Sequence, residues 1–351
     1  MLEFYLIFLL FLTFSVVEFY YYDWLKQRKK IYIGLYILLT FLLILHAGLR
    51  GIGIDRDSIM YQEYFMYFSK KSYYDLLFNN DHRVKEIGYL LLNKFFSNKF
   101  LNFRFLLLFV SSITIGIKSF AFYKYTDRPV FAAFIYLATF FYLREYTQIR
   151  DAMAVSFMIL TTIFFFKKKY LISFVYFLLA TSFHNLALCV YPILLMVKYI
   201  KENQYYYIGI IIAMLFFYFI DYDYILNNNW IPYQLSKYNM VSGRGSFSIL
   251  MLGVLGVLFY KIESLKNDIF LNDCYRLVLL GIMIGFLLFN HPVLLRITSF
   301  LMFFSIILMT NFSKFKNDYF YYKEIKFYFI VLVMIGFYVK NFIFSNLVII
   351  K

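Results

Sequence analysis

Apolar runs of about 20 residues recur along the whole chain, the length a helix needs to cross a hydrocarbon layer. Inside that layer every backbone amide has to find its partner within its own segment, so such runs fold as helices. With 63% hydrophobic residues in 351, the chain is more apolar than a soluble domain of that size. The expected fold is therefore all-α: a polytopic integral membrane protein forming one domain over 1–351. A hydropathy window gives about twelve spans, within a range of roughly 10–13. They are 2–22, 32–49, 101–123, 129–143, 150–166, 170–183, 185–200, 205–220, 247–260, 277–290, 293–310 and 327–345. The first carries no small-residue cleavage site behind it and reads as a retained span. Two long loops remain, about 50–100 and 221–248, with short amphipathic helices at the interface.

Charge fixes the orientation. The short loops around 23–31, 124–128, 167–169, 198–201, 261–276 and 314–326 are rich in lysine, which places them in the cytoplasm and both termini outside. Those loops explain most of the net charge of +15, so nucleic acid is not an expected partner. Arginine distributes differently. Eight of the eleven arginines (Arg50, Arg56, Arg83, Arg104, Arg144, Arg150, Arg244 and Arg296) fall on the outer side. Sorting by charge alone does not move arginine outward. Its planar, permanently charged fork suits phosphate and carboxylate, so the outer face reads as built for an anionic substrate.

The central stretch is 144–185: REYTQIRDAMAVSF, an apolar run, KKKY, a second apolar run, then SFHN. The lysine turn makes a helix pair of it and puts Arg150 and His184 at the opposite face. Arg296 lies within the apolar run of NHPVLLRITSF, where a cation costs about 2.5–3.5 kcal/mol near a helix centre and less near an end. Few acids stand in the outer halves of the spans, which favours a substrate anion as its partner. In the first long loop, Arg50 follows a span directly, Gly51 and Gly53 free the backbone, Asp55 and Asp57 bracket Arg56, and IMYQEYFMYF, with Tyr61, suits an interfacial helix. The second loop presents Arg244 between two glycines among aromatics and amides that suit sugars. His46, His82 and His291 are weaker candidates than His184. The four histidines lack metal-ligand spacing, so no metal site is expected, and no phosphate-binding glycine loop with lysine occurs. Cys189 and Cys274 do not form a disulfide framework.

GLRGIGIDRDSIMYQEYF resembles the early loop of the EpsG-like branch of bacterial polysaccharide polymerases, the Wzy or O-antigen polymerase group. REYTQIRDAMAVSF with its lysine turn and SFHNLAL is similar to that family's central helices, and HPVLLRITSFLMFF to its late arginine-bearing helix. The resemblance implies a metal-independent, cofactor-free glycosyltransferase in the bacterial inner membrane, its active site facing the periplasm or exterior. Its substrates would be polyprenyl-diphosphate-linked oligosaccharides as both donor and acceptor, joined into O-antigen, capsule or exopolysaccharide. A chain-length regulator and a flippase are the implied protein partners. Arg50, Arg150 and Arg296 match the family's motif arginines and His184 its histidine; Asp55 matches an acidic position. The expected catalytic residues are His184, Arg150 and Arg296. Arg50, Asp55, Arg244 and Tyr61 are expected to hold diphosphate and sugar. Two alternatives stand beside this one: an O-antigen ligase or other polyprenyl-phosphate-sugar transferase, and a lipid-linked oligosaccharide flippase.

Overall fold

The structure is a computed structural model and describes residues 2–78, 86–99, 102–219, 247–263, 268–288, 295–311 and 320–341. Among the described residues there is no strand. Each of the twelve apolar intervals holds a helix, and among the described residues five helices are long and apolar enough to cross a membrane: Leu2–Tyr20 (α1), Lys29–Gly48 (α3), Phe103–Tyr125 (α7), Ile149–Phe166 (α9) and Ile269–Leu287 (α14). Shorter apolar helices accompany them, among them Tyr170–Phe183 (α10) and Arg296–Met309 (α15), so the chain is a multi-pass membrane protein. The remaining helices are Tyr22–Gln27 (α2), Ser58–Ser69 (α4), Tyr73–Phe78 (α5), Ile87–Lys99 (α6), Pro129–Tyr136 (α8), Val190–Tyr199 (α11), Asn203–Phe219 (α12), Phe247–Glu263 (α13) and Phe320–Val339 (α16).

Two compact units emerge: Met1–Phe164 with Tyr170–Asn185 and Thr310–Lys351, and Phe165–Lys169 with Leu186–Met309. In the first, α1 reaches α8 through Glu18. Its buried carboxylate accepts the Val130 and Phe131 amides at 3.0 and 2.8 Å, satisfying donors left open at the start of α8, where Pro129 needs none. Antiparallel α3 and α7 lie close. The Tyr36 hydroxyl donates to the Ser119 carbonyl at 2.9 Å, and a Cβ on Gly48 would sit 2.8 Å from Leu108 Cα, so only glycine permits that approach. α9 and α10 form the expected hairpin. Its turn places Lys168 at φ 61°, Ser173 Oγ donates to the Thr161 carbonyl at 2.8 Å, and Phe157 stacks on Phe183. α4 and α6 cover one end of α7 through Phe65–Phe103 and Phe96–Phe109.

One boundary differs from the expectation in an informative way. The span expected to close at residue 143 runs on to Thr147, because α8 passes into a π-helix, Leu137–Thr147. Hydropathy falls at Arg144 and Glu145, yet both are buried. Arg144 is neutralised by an ion pair with Asp151, and donates to Gln148 Oε1 at 2.7 Å. Glu145 takes Lys118 Nζ at 2.6 Å together with the Tyr136 and Thr114 hydroxyls. Lys118 also reaches Ser156 Oγ at 2.9 Å. This network ties α7, the π-helix and α9 together. Satisfied charges let the helix continue where a hydropathy window stops.

In the second unit α13, α14 and α15 pack at small residues. A Cβ on Gly256 would meet Ser305, and one on Gly281 would meet Met302 and Leu301. Such contacts allow the close helix approach that packing in lipid requires. α14 begins at Ile269, earlier than the expected 277, because its polar first turns are paired: Arg276 Nη1 meets Asp273 at 3.0 Å and Arg276 Nε meets Asn203 at 3.1 Å.

Candidate functional site

Two arginine–carboxylate pairs, both in the first unit, organise the first long loop. Arg50 stands just past the end of α3, where the last carbonyls of a helix lack partners. Its Nη1 donates to the Ala47 carbonyl at 2.6 Å and its Nη2 to the Tyr146 carbonyl, at the end of the π-helix, at 2.7 Å. Its Nε meets Asp55 Oδ2 at 3.1 Å, and the guanidinium lies over the Tyr146 ring at 5.1 Å. One cation thus closes two helix C-termini, the end that favours positive charge. Asp55 turns its other oxygen to the Asp57 and Ser58 amides at 3.0 and 2.8 Å, at the start of α4. Between them Gly53 has φ 86°, and its amide donates to Ser58 Oγ at 2.8 Å. The Arg50 side chain is 1% exposed and that of Asp55 is fully buried. The pair is a knot that shapes the loop.

The second pair is open. Arg150 stands in the first turn of α9, its side chain 26% exposed. Nη1 meets Glu86 Oε2 at 3.0 Å, just before α6. The guanidinium lies 5.9 Å from the Tyr61 ring and 5.7 Å from the Tyr89 ring, and those rings meet edge to face at 5.9 Å. Burial pushes the Tyr89 phenol up, so it stays neutral beside the cation. Two tyrosine rings, a hydrogen bond to Tyr61 and one carboxylate hold a guanidinium that stays partly exposed.

His184 follows the last residue of α10, half-buried, its amide donating to the Ala180 carbonyl at 3.1 Å. The Phe157–Phe183 stack sets the register of the hairpin. Arg150 then lies about 10 Å beyond Phe157 along α9, while His184 follows Phe183 directly, so the two share an end of the hairpin but not a level. α6 bridges that step. Gly88 lies against Ser182, where an added Cβ would be 3.0 Å from the Ser182 carbonyl oxygen, so Glu86 and His184 each stand two residues from one close contact.

Arg296 belongs to the second unit. It opens α15 and is half-buried. Among the described residues no carboxylate pairs with it. A guanidinium beside the open amides of a helix N-terminus favours an anion. Arg244, His82 and His291 lie outside the described residues. Tyr61 is buried against Arg150 and Tyr89. The expected shortage of acids is corrected in the first unit, where Asp55, Glu86 and Asp151 each hold an arginine. Glu86 and Tyr89 escaped the sequence reading because 64 and 61 positions separate them from Arg150. Lys118 and Glu145 were findable: an ionisable residue inside an apolar run is a signal, the one that singled out Arg296. Among the described residues no group of histidine, cysteine or carboxylate side chains has the makings of a metal site.

A family model, described as the EpsG family, matches residues 33–349. The chain belongs to the EpsG family. Membership points to a membrane protein of the polysaccharide-polymerase type, and the knot, Arg150, His184 and Arg296 all fall inside the matched region of this EpsG-family chain. No protein of curated function and no solved structure matches it.

Proposed function

We propose that this EpsG-family chain is a bacterial polysaccharide polymerase that joins polyprenyl-diphosphate-linked oligosaccharide repeat units on the outer side of the inner membrane. The observation that carries the reading is Arg150: a partly exposed guanidinium resting against two neighbouring tyrosine rings and paired with one carboxylate, in a chain of this family. Both termini lie outside in a fold of about twelve spans, since lysine marks the cytoplasmic loops.

The bond from the donor's anomeric carbon to its diphosphate oxygen breaks. A bond from that carbon to the acceptor sugar's hydroxyl oxygen forms. The electron pair of the broken bond leaves with the diphosphate, which gains charge in the transition state. Arg150 stabilises that charge as a preorganised donor, and Glu86 holds the guanidinium until the stronger anion displaces it. Arg296, at a helix N-terminus and with no carboxylate partner among the described residues, is a second arginine suited to a substrate anion. His184 takes the hydroxyl proton as general base, a role that contributes about 10²–10⁴-fold. Asp55 leaves that role to His184, since both its oxygens are committed to Arg50 and to the backbone. Arg50 supports the site by fixing the loop from which α4 presents Tyr61. Arg244 belongs to the sugar-binding loop. Charge stabilisation by arginine makes the reaction independent of divalent metal.

The test is product length. Purified protein receives one defined lipid-linked repeat unit in the presence of chelator. A ladder of multiples is expected. A single transfer onto an added foreign acceptor lipid would move the assignment to a ligase, and transport without new glycosidic bonds to a flippase.

A further inference from the structure

Away from the arginines, α3 and α7 enclose a groove of about 420 Å³, within the range of small-molecule sites. Its α3 wall runs from Ile33 to Ile44, about 16 Å of helix, and so lies at hydrocarbon depth in two candidate spans. The cause is local. The helices touch at Gly48–Leu108 and at Tyr36–Ser119, and between these contacts Gly116 contributes no side chain. A Cβ added at Gly116 meets nothing within 4 Å. The walls are Ile37, Phe41 and Ile44 on one side and Phe120 and Tyr123 on the other. The Tyr36 hydroxyl is already spent on the Ser119 carbonyl. A polar guest would strand its hydrogen bonds here, whereas a hydrocarbon chain would not.

The groove also shares its helices with the elements around Arg150. The far end of α3 leads directly into the Arg50 knot. The far end of α7 carries α4 and α6 through Phe65 and Phe96, and these helices hold Tyr61 and Tyr89 around Arg150. We propose that the α3–α7 groove holds the isoprenoid tail of the lipid-linked substrate whose diphosphate meets Arg150, an inference that rests on the polymerase reading above.

The experiment uses the full chain in nanodiscs with two photoprobes: a long-chain polyprenyl phosphate bearing a mid-chain diazirine, and a phosphatidylcholine with a diazirine in its acyl chain. The polyprenyl probe is expected to label peptides of α3 and α7, and unlabelled polyprenyl phosphate to displace it. Gly116→Leu sets its Cβ where no atom lies within 4 Å and extends into the groove, and leucine suits a helix interior better than glycine, so the fold is kept. It should cut that labelling at least about tenfold, since each buried methylene is worth roughly fourfold in affinity. In the polymer assay Gly116→Leu should raise KM for the long-tailed repeat unit by a similar factor and leave a short-tailed unit unchanged. Labelling on other helices, equal loss for both tail lengths, or phospholipid labelling of α3 and α7 that polyprenyl phosphate does not displace would overturn the proposal; the last would assign the groove to bulk lipid. Wild-type protein that makes no polymer from any tail length would defeat the polymerase reading, while the labelling result still decides the groove.

Discussion

Arg50–Asp55 and Arg150–Glu86 are the same chemical pair in two settings. In the first, the described donors of the guanidinium go to two helix-end carbonyls and a carboxylate, and the side chain is shut from solvent. In the second, the guanidinium meets one carboxylate and Tyr61, lies against two rings, and stays partly exposed. A residue's chemical type nominated both for the substrate. Exposure separates them: Arg50 is closed within the loop it shapes, and Arg150 stays accessible, which is why the proposed function rests on it.

Substitutions can break that contrast. Arg50→Ala should have the largest effect on the fold, about 3–5 kcal/mol, because it leaves Asp55 buried without its counter-charge. Thermal melting in detergent measures it, and Arg50→Ala/Asp55→Ala should recover part of the loss. Arg150→Ala should leave the melt within about 1 kcal/mol of wild type, as expected for a partly exposed pair. Polymer formation should nevertheless fall about 10²–10³-fold, the usual result of removing one transition-state donor. Glu86→Gln should act in the opposite direction: freeing Arg150 should lower KM for the lipid-linked unit by about two- to fivefold, the worth of a weak ion pair. Tyr61→Phe and Tyr89→Phe should matter least. Both keep the ring face that holds the guanidinium, and Tyr61→Phe also removes a hydrogen bond to Arg150, so Tyr89→Phe should cost less than about 1 kcal/mol in kcat/KM and Tyr61→Phe about 1 kcal/mol. A large loss in either would mean that a hydroxyl, and not the ring, does the work.

How far the sequence reaches follows from the same physics. Apolar length alone located a helix in each of twelve intervals, because lipid leaves the backbone no other choice. It stopped short at Arg144 and Glu145, whose charges are cancelled by Asp151 and Lys118. Pairing across helices is invisible to a sliding window. Arg150, Tyr61 and His184 were visible as residues at one end of their segments. Glu86, Tyr89 and the closed state of Arg50 were not, since each depends on a contact with a segment far away in sequence. The EpsG family match adds the kind of protein, and the partly exposed Arg150 adds where to look within it.

The most direct measurement compares product ladders from wild type, Arg150→Ala, Arg150→Lys and Arg50→Lys, given one defined polyprenyl-diphosphate repeat unit in chelator, with each melt recorded. Wild type should give a ladder of multiples. Arg150→Ala should give none at an unchanged melting temperature, and Arg150→Lys little, since a point charge does not replace a fork. Arg50→Lys should melt early while the protein that remains folded still polymerises. A full ladder from Arg150→Ala, or a ladder lost from well-folded Arg50→Lys alone, would contradict the division of labour between the two arginines.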